Sequence, residues 1–194
     1  MITKQYLRLI LFDIDGTLIT TNGLPREAFS EAIEETLNVK SIARTHDFAG
    51  KTDQQIWAEI VRASSLPEEY IEAHADRVFD CFFRKLEERL HVDNITVLPG
   101  VRAILDALRA EDAATTALLT GNMLRGARIK LTPPALLDYF AFGAFGNDAS
   151  DRPDLPEIAV ARAYDRTGVT FKAKDIVIIG DTPHDIDCGR HLNV

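Results

Sequence analysis

The stretch from Leu9 to Leu18, LILFDIDGTL, constrains the fold more than any other segment of the chain. Its first four residues are bulky and apolar, as in a strand that is covered on both faces, yet Asp13 and Asp15 follow immediately, before a glycine. A buried carboxylate is costly unless another group compensates it. The stretch therefore predicts a buried strand that ends in a site where other groups meet the two aspartates.

Short apolar runs without polar alternation recur along the chain, and this is typical of parallel sheets. The three clearest are Leu7 to Phe12, Thr116 to Leu119 and Ile176 to Ile179, with a weaker candidate at Phe140 to Phe145. Helical patterns separate them, including one from about Pro156 to Thr167. This alternation predicts an α/β fold with a doubly wound, Rossmann-like parallel sheet.

Residues 19–95 interrupt the alternation, because they contain helical patterns only. Pro25 suits the first turn of one helix, and Thr52 with Gln55 resembles a capping box that opens a second. A third, longer helix is expected from near Pro67 to about Leu90. We expect residues 19–95 to form an all-helical cap beside an α/β core made of residues 1–18 and 96–194.

Composition and charge narrow the class of protein. The 194 residues carry a net charge of −8, which argues against general binding of nucleic acid, since that requires a positive surface. Cys81 and Cys188 lie far apart and are expected to be free thiols of a reducing compartment. The sequence shows neither a signal peptide nor a membrane-spanning run, so we expect a cytoplasmic protein without a membrane partner.

Each of the three clear strands ends in polar residues next to a glycine, in FDIDGT, LTGN and IGDTPHD. In a parallel sheet these three ends lie at one edge, where open α/β folds bind ligands. Asp13 and Asp15 should therefore meet Asp181 and Asp185 there. Two carboxylates about 4 Å apart repel by roughly 4 kcal/mol at an effective dielectric constant near 20. Clustered carboxylate oxygens favour a hard divalent cation such as Mg²⁺.

The order of these motifs, DxDGT, a strand-end threonine and GDTxxD, resembles that of the haloacid dehalogenase superfamily of phosphohydrolases. The helical insertion after the first motif is similar to the C1-type cap of its phosphoglycolate-phosphatase-like and β-phosphoglucomutase-like members. The three motifs are short, but together they span most of the chain.

The resemblance implies a role for each motif residue. Asp13 would be the nucleophile that accepts the phosphoryl group, and Asp15 would be the general acid and base. Thr120, with the backbone of Gly121 and Asn122, would hold phosphate oxygens. Mg²⁺ would be bound by Asp13, by Asp15 through its carbonyl oxygen, and by Asp181, with Asp185 behind them or bound through water.

One family position differs in this chain. The family usually places a lysine before the helix that leads to the last motif, and here that segment, SDRPDLPE, offers Arg152. Arginine keeps its charge but has a planar, forked geometry. Lys172 and Lys174 are alternatives that lie closer to the following strand.

The sequence thus predicts a Mg²⁺-dependent phosphatase that acts on a small phosphorylated metabolite through an aspartyl phosphate. A phosphomutase of the β-phosphoglucomutase type and a catalytically silent, receiver-like Mg²⁺-binding module are the alternatives. The resemblance also implies a further strand after the last motif, whereas the sequence stops at RHLNV, so we expect the last strand to form an edge or to need other cover.

Overall fold

The computed structural model of the protein describes residues 7–194. The strands, in chain order, are β1 (Arg8–Phe12), β2 (Ile19–Thr20), β3 (Thr96–Val97), β4 (Ala114–Leu119), β5 (Gly143–Ala144) and β6 (Ile176–Ile179). The helices are α1 (Leu24–Leu37), α2 (Asp53–Ala63), α3 (Tyr70–Ala73), α4 (Ala75–Arg89), α5 (Val101–Arg109), α6 (Leu124–Leu131), α7 (Leu155–Thr167) and α8 (Pro183–His191).

The main sheet has four parallel strands in the order β5-β4-β1-β6. The three clear strand predictions are confirmed, and β1 lies between the other two. The weaker candidate, Phe140 to Phe145, is a strand only at Gly143 and Ala144. Phe140 instead packs its ring against that of Phe12, with 5.7 Å between the ring centroids.

The sheet is covered on both faces because side chains in β1 alternate between two apolar clusters. Ile10 and Phe12 pack on the side of α5 and α6, whereas Leu9 and Leu11 pack on the side of α7. Helices on both faces of a parallel sheet make the doubly wound α/β fold that the sequence predicts.

A second, two-stranded antiparallel sheet joins this core to the segment that contains α1 to α4. In it β2 pairs with β3, so the chain leaves the core and returns to it along adjacent strands. We call residues 24–90 the helical insert. Its aromatic side chains form its interior, where the ring of Phe29 lies 5.0 Å from that of Phe82 and Trp57 is buried.

Two predictions for the starts of insert helices are confirmed. Pro25 lies in the first turn of α1, where its missing N–H leaves no bond unmade. Thr52 is the N-cap of α2, and its hydroxyl accepts a hydrogen bond of 3.0 Å from the backbone N–H of Gln55.

The prediction of one long third helix is wrong, because the segment forms two helices, α3 and α4. His74 is the residue at which they meet. Its N–H donates to the carbonyl of Tyr70 at the end of α3, and its carbonyl accepts from Val78 at the start of α4. With φ −118° and ψ −5°, His74 departs from helical geometry, so the axis breaks there.

Among residues 7–194, no helix is both long and apolar enough to cross a bilayer. Cys81 and Cys188 are both free, as predicted, and the structure shows that both are buried.

Candidate active site

The register of the sheet brings the three polar strand ends together. Phe12 is aligned with Leu118 of β4 and with Ile179 of β6, so the residues that follow each strand leave the sheet at one level. The backbone N–H of Asp13 donates to the carbonyl of Ile179 at 3.0 Å, which extends this pairing by one residue.

The turn after β1 depends on Gly16, which has φ +81°. A Cβ atom at this position would lie 2.2 Å from Oδ2 of Asp181. Glycine therefore allows both the turn and the close approach of Asp181 to the first motif.

Asp13 lies at the floor of the site and is only 4% exposed. Burial raises its pKa to about 6, opposed by the positive charge of Arg152 and reinforced by the carboxylates of Asp15 and Asp185. The sequence predicts that other groups meet this buried aspartate, and one of them is a cation.

That cation is Arg152, which is itself buried. One of its terminal nitrogens, Nη2, lies 3.2 Å from Oδ1 of Asp13 and 2.5 Å from Oδ1 of Asp185. Burial lowers the pKa of this guanidinium, but the two carboxylates outweigh it and raise the pKa above its ordinary value. Its Nε is buried without a hydrogen-bond partner. Arg152 thus holds a permanent positive charge between two acidic strand ends.

Asp185 is occupied by protein groups on both of its oxygens. Oδ1 contacts Arg152, and Oδ2 accepts hydrogen bonds from the N–H and the hydroxyl of Thr182, at 3.0 and 2.8 Å. Thr182 and Asp185 form the capping box of α8. This arrangement places Asp185 behind the site, where it orients Arg152.

Asp15 has a more open position, with 43% of its side chain exposed. Its Oδ2 accepts hydrogen bonds from Nζ of Lys130 at 2.6 Å and from the side-chain amide of Asn122 at 2.8 Å. Lys130 also donates to Oδ1 of Asn122 at 2.6 Å. Two donors therefore fix one carboxylate oxygen of Asp15, and within residues 7–194 no side chain forms a hydrogen bond or ion pair with the other.

The loop after β4 presents Gly121 and Asn122 to the site, while Thr120 lies behind them. Thr120 is fully buried, and its hydroxyl accepts hydrogen bonds from the backbone and the side-chain amide of Asn122, at 3.2 and 2.8 Å. In this state Thr120 holds Asn122 in position, and Gly121 and Asn122 line the cavity.

The donor set fits a hard divalent cation. One carboxylate oxygen from each of Asp13, Asp181 and Asp185 can be chosen so that all three lie within 4.8 Å of one another. Oxygen ligands alone, some of them left to water or substrate, are typical of Mg²⁺ sites. Asp13 and Asp181 would bind the ion, with Asp185 nearby.

The helical insert closes over this site and forms hydrogen bonds with the backbone of the loop after β4. The N–H of Asp53 donates to the carbonyl of Gly121 at 2.9 Å, and the N–H of Met123 donates to Oδ2 of Asp53 at 2.7 Å. The hydroxyl of Thr52 donates to the carbonyl of Ser150 at 2.6 Å. These three bonds form a seam between the start of α2 and the core.

Two glycines allow this seam to close. A Cβ on Gly121 would lie 2.0 Å from the carbonyl oxygen of Lys51, and a Cβ on Gly50 would lie 2.2 Å from Cδ2 of His184. Neither distance would leave room for a side chain. The backbone of Gly121 therefore packs against the backbone of Lys51, and the backbone of Gly50 packs against the ring of His184.

Between the core and the helical insert lies a cavity of about 340 Å³. The core contributes Asp13, Asp15, Gly121, Asn122, Lys130, Arg152 and Asp181 to its lining, and the insert contributes Arg26, Phe29, Asp47, Phe48, Lys51 and Asp53. Lys172 and Lys174 are not among the lining residues. The sequence analysis named each of these core residues except Lys130, whereas Thr120 and Asp185, which it also named, are not among the lining residues.

The sequence contains a signal for Lys130 that a motif search passes over. Lys130 follows Gly126 and Ala127 by four and three positions, so it falls on the same face of α6 as these buried residues. A lysine on a buried helix face is unusual unless it is paired. Arg26 and Asp53 give no comparable signal, because both start amphipathic helices where charged residues are common.

Comparison with known proteins agrees with this architecture. The haloacid dehalogenase-like hydrolase family matches residues 10–194. Pyrophosphatase PpaX of Listeria monocytogenes is 29% identical over 189 residues, which are 94% of this chain and 78% of that protein. Pyrophosphatase PpaX of Oceanobacillus iheyensis is 26% identical over 194 residues, which are 97% of this chain and 81% of that protein.

Solved structures share the fold. A hydrolase from Pseudomonas syringae has a TM-score of 0.70 and 22% identity, and the match covers 94% of this chain and 80% of that one. A variant of CbbY from Rhodobacter sphaeroides, solved in complex with xylulose-(1,5)bisphosphate, has a TM-score of 0.72 and 18% identity, covering 97% and 84%. With the family match over nearly the whole chain, these findings show that the chain belongs to the haloacid dehalogenase-like hydrolases and is a phosphohydrolase.

Proposed function

We propose that this chain is a Mg²⁺-dependent phosphatase that hydrolyses a small phosphomonoester through an aspartyl phosphate on Asp13. The observation that carries the proposal is the meeting of Asp13, Asp181 and Asp185 within 4.8 Å, beside the buried cation Arg152. Such a site can receive a phosphate group and a divalent cation together. The helical insert acts as the cap that excludes water and selects the leaving group.

In the first step an oxygen of Asp13 attacks phosphorus, and the bond from phosphorus to the leaving oxygen breaks. Asp15 gives that oxygen a proton, so that an alcohol leaves rather than an alkoxide. Gly121 and Asn122 face the equatorial phosphate oxygens, and Arg152, which lines the same cavity, compensates their charge. Mg²⁺, when bound, neutralises the carboxylates and the phosphate and so permits their approach.

In the second step Asp15, now a carboxylate, takes a proton from a water molecule, whose oxygen attacks phosphorus. The bond between phosphorus and Asp13 breaks, which releases inorganic phosphate and restores both aspartates. The hydrogen bonds from Lys130 and Asn122 to Oδ2 of Asp15 leave its other oxygen for both proton transfers.

Pyrophosphate is a second candidate substrate, because the relatives at 25 to 29% identity carry the name pyrophosphatase. The same steps apply, with phosphate as the leaving group. The relatives' names favour hydrolysis over the phosphomutase alternative. The free thiols of Cys81 and Cys188 support a reducing, cytoplasmic location.

The test is a hydrolysis screen over phosphoglycolate, sugar phosphates, nucleotides and pyrophosphate, with and without Mg²⁺. We expect Mg²⁺-dependent phosphate release by the wild type, loss of at least about 1,000-fold in Asp13→Asn, and a phosphorylated peptide containing Asp13 after acid quenching. Asp76→Asn, which changes an exposed aspartate of α4, is the matched control. Equal rates in wild type and Asp13→Asn would refute the assignment of the nucleophile.

A further inference from the structure

Four cationic side chains line the cavity, and three of them are already paired with carboxylates. Lys130 contacts Asp15, and Arg152 contacts Asp13 and Asp185. In the helical insert, Lys51 contacts Glu59 at 2.6 Å. The fourth is Arg26, which forms no ion pair with any carboxylate in the part of the chain that the structure describes.

Arg26 is nevertheless held firmly in the wall of the cavity. Its Nη1 donates a hydrogen bond to the carbonyl of His46. Its guanidinium carbon lies 4.5 Å from the centroid of the Phe48 ring, which is within the range of a cation–π contact. Both partners orient the guanidinium without neutralising its charge, and its other nitrogens form no hydrogen bond with the residues that the structure describes.

The position of Arg26 follows from the joint between the core and the helical insert. Asn22 and Gly23 have φ of 51° and 83°, so the chain reverses after β2 and enters α1 directly. Arg26 lies in the first turn of this helix, whose positive end also favours a negative charge nearby. Arg26 thus lines, from the helical insert, the same cavity that Asp13 and Asp15 line from the core.

The neighbouring acidic groups leave Arg26 available. Asp47 lines the same wall, but its Oδ1 accepts the backbone N–H of Ala49 at 3.0 Å and stays within its own loop. Asp53 accepts from Met123 in the seam. A partly buried guanidinium that no carboxylate neutralises is a ready-made partner for an anion.

We infer that Arg26 forms a second anion subsite, which binds an anionic group on the leaving-group side of the substrate. The inference rests on the proposed function, since it assigns the transferred phosphoryl group to Asp13 and Arg152. The preferred substrates are then small molecules with two anionic groups, one phosphoryl group that is transferred and a second phosphoryl or carboxylate group that is not.

The test compares pairs of substrates, one member with a second anionic group and one member without it. The pair 2-phosphoglycolate and ethyl phosphate probes a carboxylate, and the pair pyrophosphate and methyl phosphate probes a second phosphoryl group. Each is assayed with wild type, Arg26→Met, Arg26→Lys and the control Arg62→Met, which alters an exposed arginine of α2 that lies outside the cavity.

For the doubly anionic member of at least one pair, we expect Arg26→Met to lower kcat/KM by about 10- to 100-fold, the effect of losing one hydrogen bond to a charged group. The loss for its partner, whose only anionic group is the phosphoryl group, stays below about threefold, Arg26→Lys recovers part of the loss, and Arg62→Met behaves as wild type. The pair that responds identifies the second group as carboxylate or phosphoryl.

Two results overturn the inference while leaving the proposed function intact. One is an equal loss for both members of each pair in Arg26→Met, which would make Arg26 a structural support of Phe48. The other is a wild type that shows no preference for the doubly anionic members. Failure of the wild type to hydrolyse any of the four compounds would refute the subsite, and the proposed function would fail with it only if the wider screen also showed no hydrolysis.

Discussion

The sheet edge and the helical insert face each other across one cavity, but they hold their charged groups differently. At the sheet edge both cations contact aspartates, Arg152 with Asp13 and Asp185, and Lys130 with Asp15. In the helical insert, Lys51 pairs with a partly exposed glutamate and Arg26 has no carboxylate partner among the described residues. The cations of the sheet edge are thus already paired with acidic residues of the site, whereas Arg26 of the insert remains available to an anion. Changes at the edge should affect all substrates, and changes in the insert should affect selection.

The largest effect is expected from Arg152→Met, which leaves Asp13 and Asp185 buried without their cation. Removing one partner of a buried ion pair typically destabilises a protein by about 3 to 5 kcal/mol. Urea unfolding measures this loss, and activity should fall for every substrate alike. A variant as stable as the wild type would contradict the view that Arg152 compensates the edge. Arg152→Lys, which keeps the charge, should have a stability and an activity between those of the wild type and Arg152→Met.

Lys130→Met should have the next largest effect, and it should depend on the leaving group. Without Lys130 only Asn122 holds Oδ2 of Asp15, so proton donation suffers, and kcat/KM for ethyl phosphate should fall roughly 100-fold. The value for p-nitrophenyl phosphate should fall much less, because p-nitrophenolate leaves without a proton. Arg128→Met, in the same helix but exposed, is the control. A uniform loss for both substrates would mean that Lys130 serves only the packing of α6.

Asp53→Asn tests the seam through pH. Burial raises the pKa of Asp53 to about 6, opposed by the charge of Lys130 and the N–H of Met123 and reinforced by Asp15. A carboxyl whose pKa is higher in the folded state destabilises the fold as pH rises from about 4 to about 6. At pH 7 the asparagine variant should therefore be more stable by about 3 kcal/mol, and at pH below 4 the two should be equal.

The measurement is urea unfolding of both proteins at several pH values without Mg²⁺. The difference between their free energies of unfolding at each pH removes the contributions of the titratable groups that they share. Asparagine keeps an oxygen for the N–H of Met123, so the seam itself stays intact. A variant less stable than the wild type at pH 7 would show that the charge of Asp53 supports the seam rather than opposing it.

The smallest effect is expected from Arg62→Met, which removes an ion pair with Glu68 on the outside of the helical insert. Both side chains are more than half exposed, and such pairs contribute little. Stability and kinetics should both match the wild type within error. A measurable change in the ratio of kcat/KM values between substrates would show that the outer surface of the insert, and not only its cavity wall, affects substrate selection.

The sequence predicted the core far better than the helical insert, and the reason is physical. Strand ends of a parallel sheet meet at one edge by construction, so Asp13, Asp15 and Asp181 could be placed together from local patterns alone. The break between two helices at His74 could not be predicted in this way, because each half of the segment has ordinary helical periodicity. Arg26 could not be found either, since it is distinguished by forming no ion pair with the carboxylates of residues 7–194, and only the folded chain shows which residues pair.

Lys130 and Arg152 lie between these extremes. Arg152 was found through the family pattern, although its pairing with Asp185 as well as Asp13 needed coordinates. Lys130 belongs to no motif, yet its place on the buried face of α6 marks it as a paired lysine. A search for charged residues on apolar helix faces would have recovered it.

The contact between Gly121 and the carbonyl of Lys51 has a consequence for protein engineering. Because the loop after β4 packs directly against the main chain of the helical insert at this point, the backbone of each part has to fit the other. A chimera that takes its insert from another enzyme inherits a different backbone path there. Swapping specificity between such enzymes will therefore require the loop and the start of α2 to be transferred as one unit.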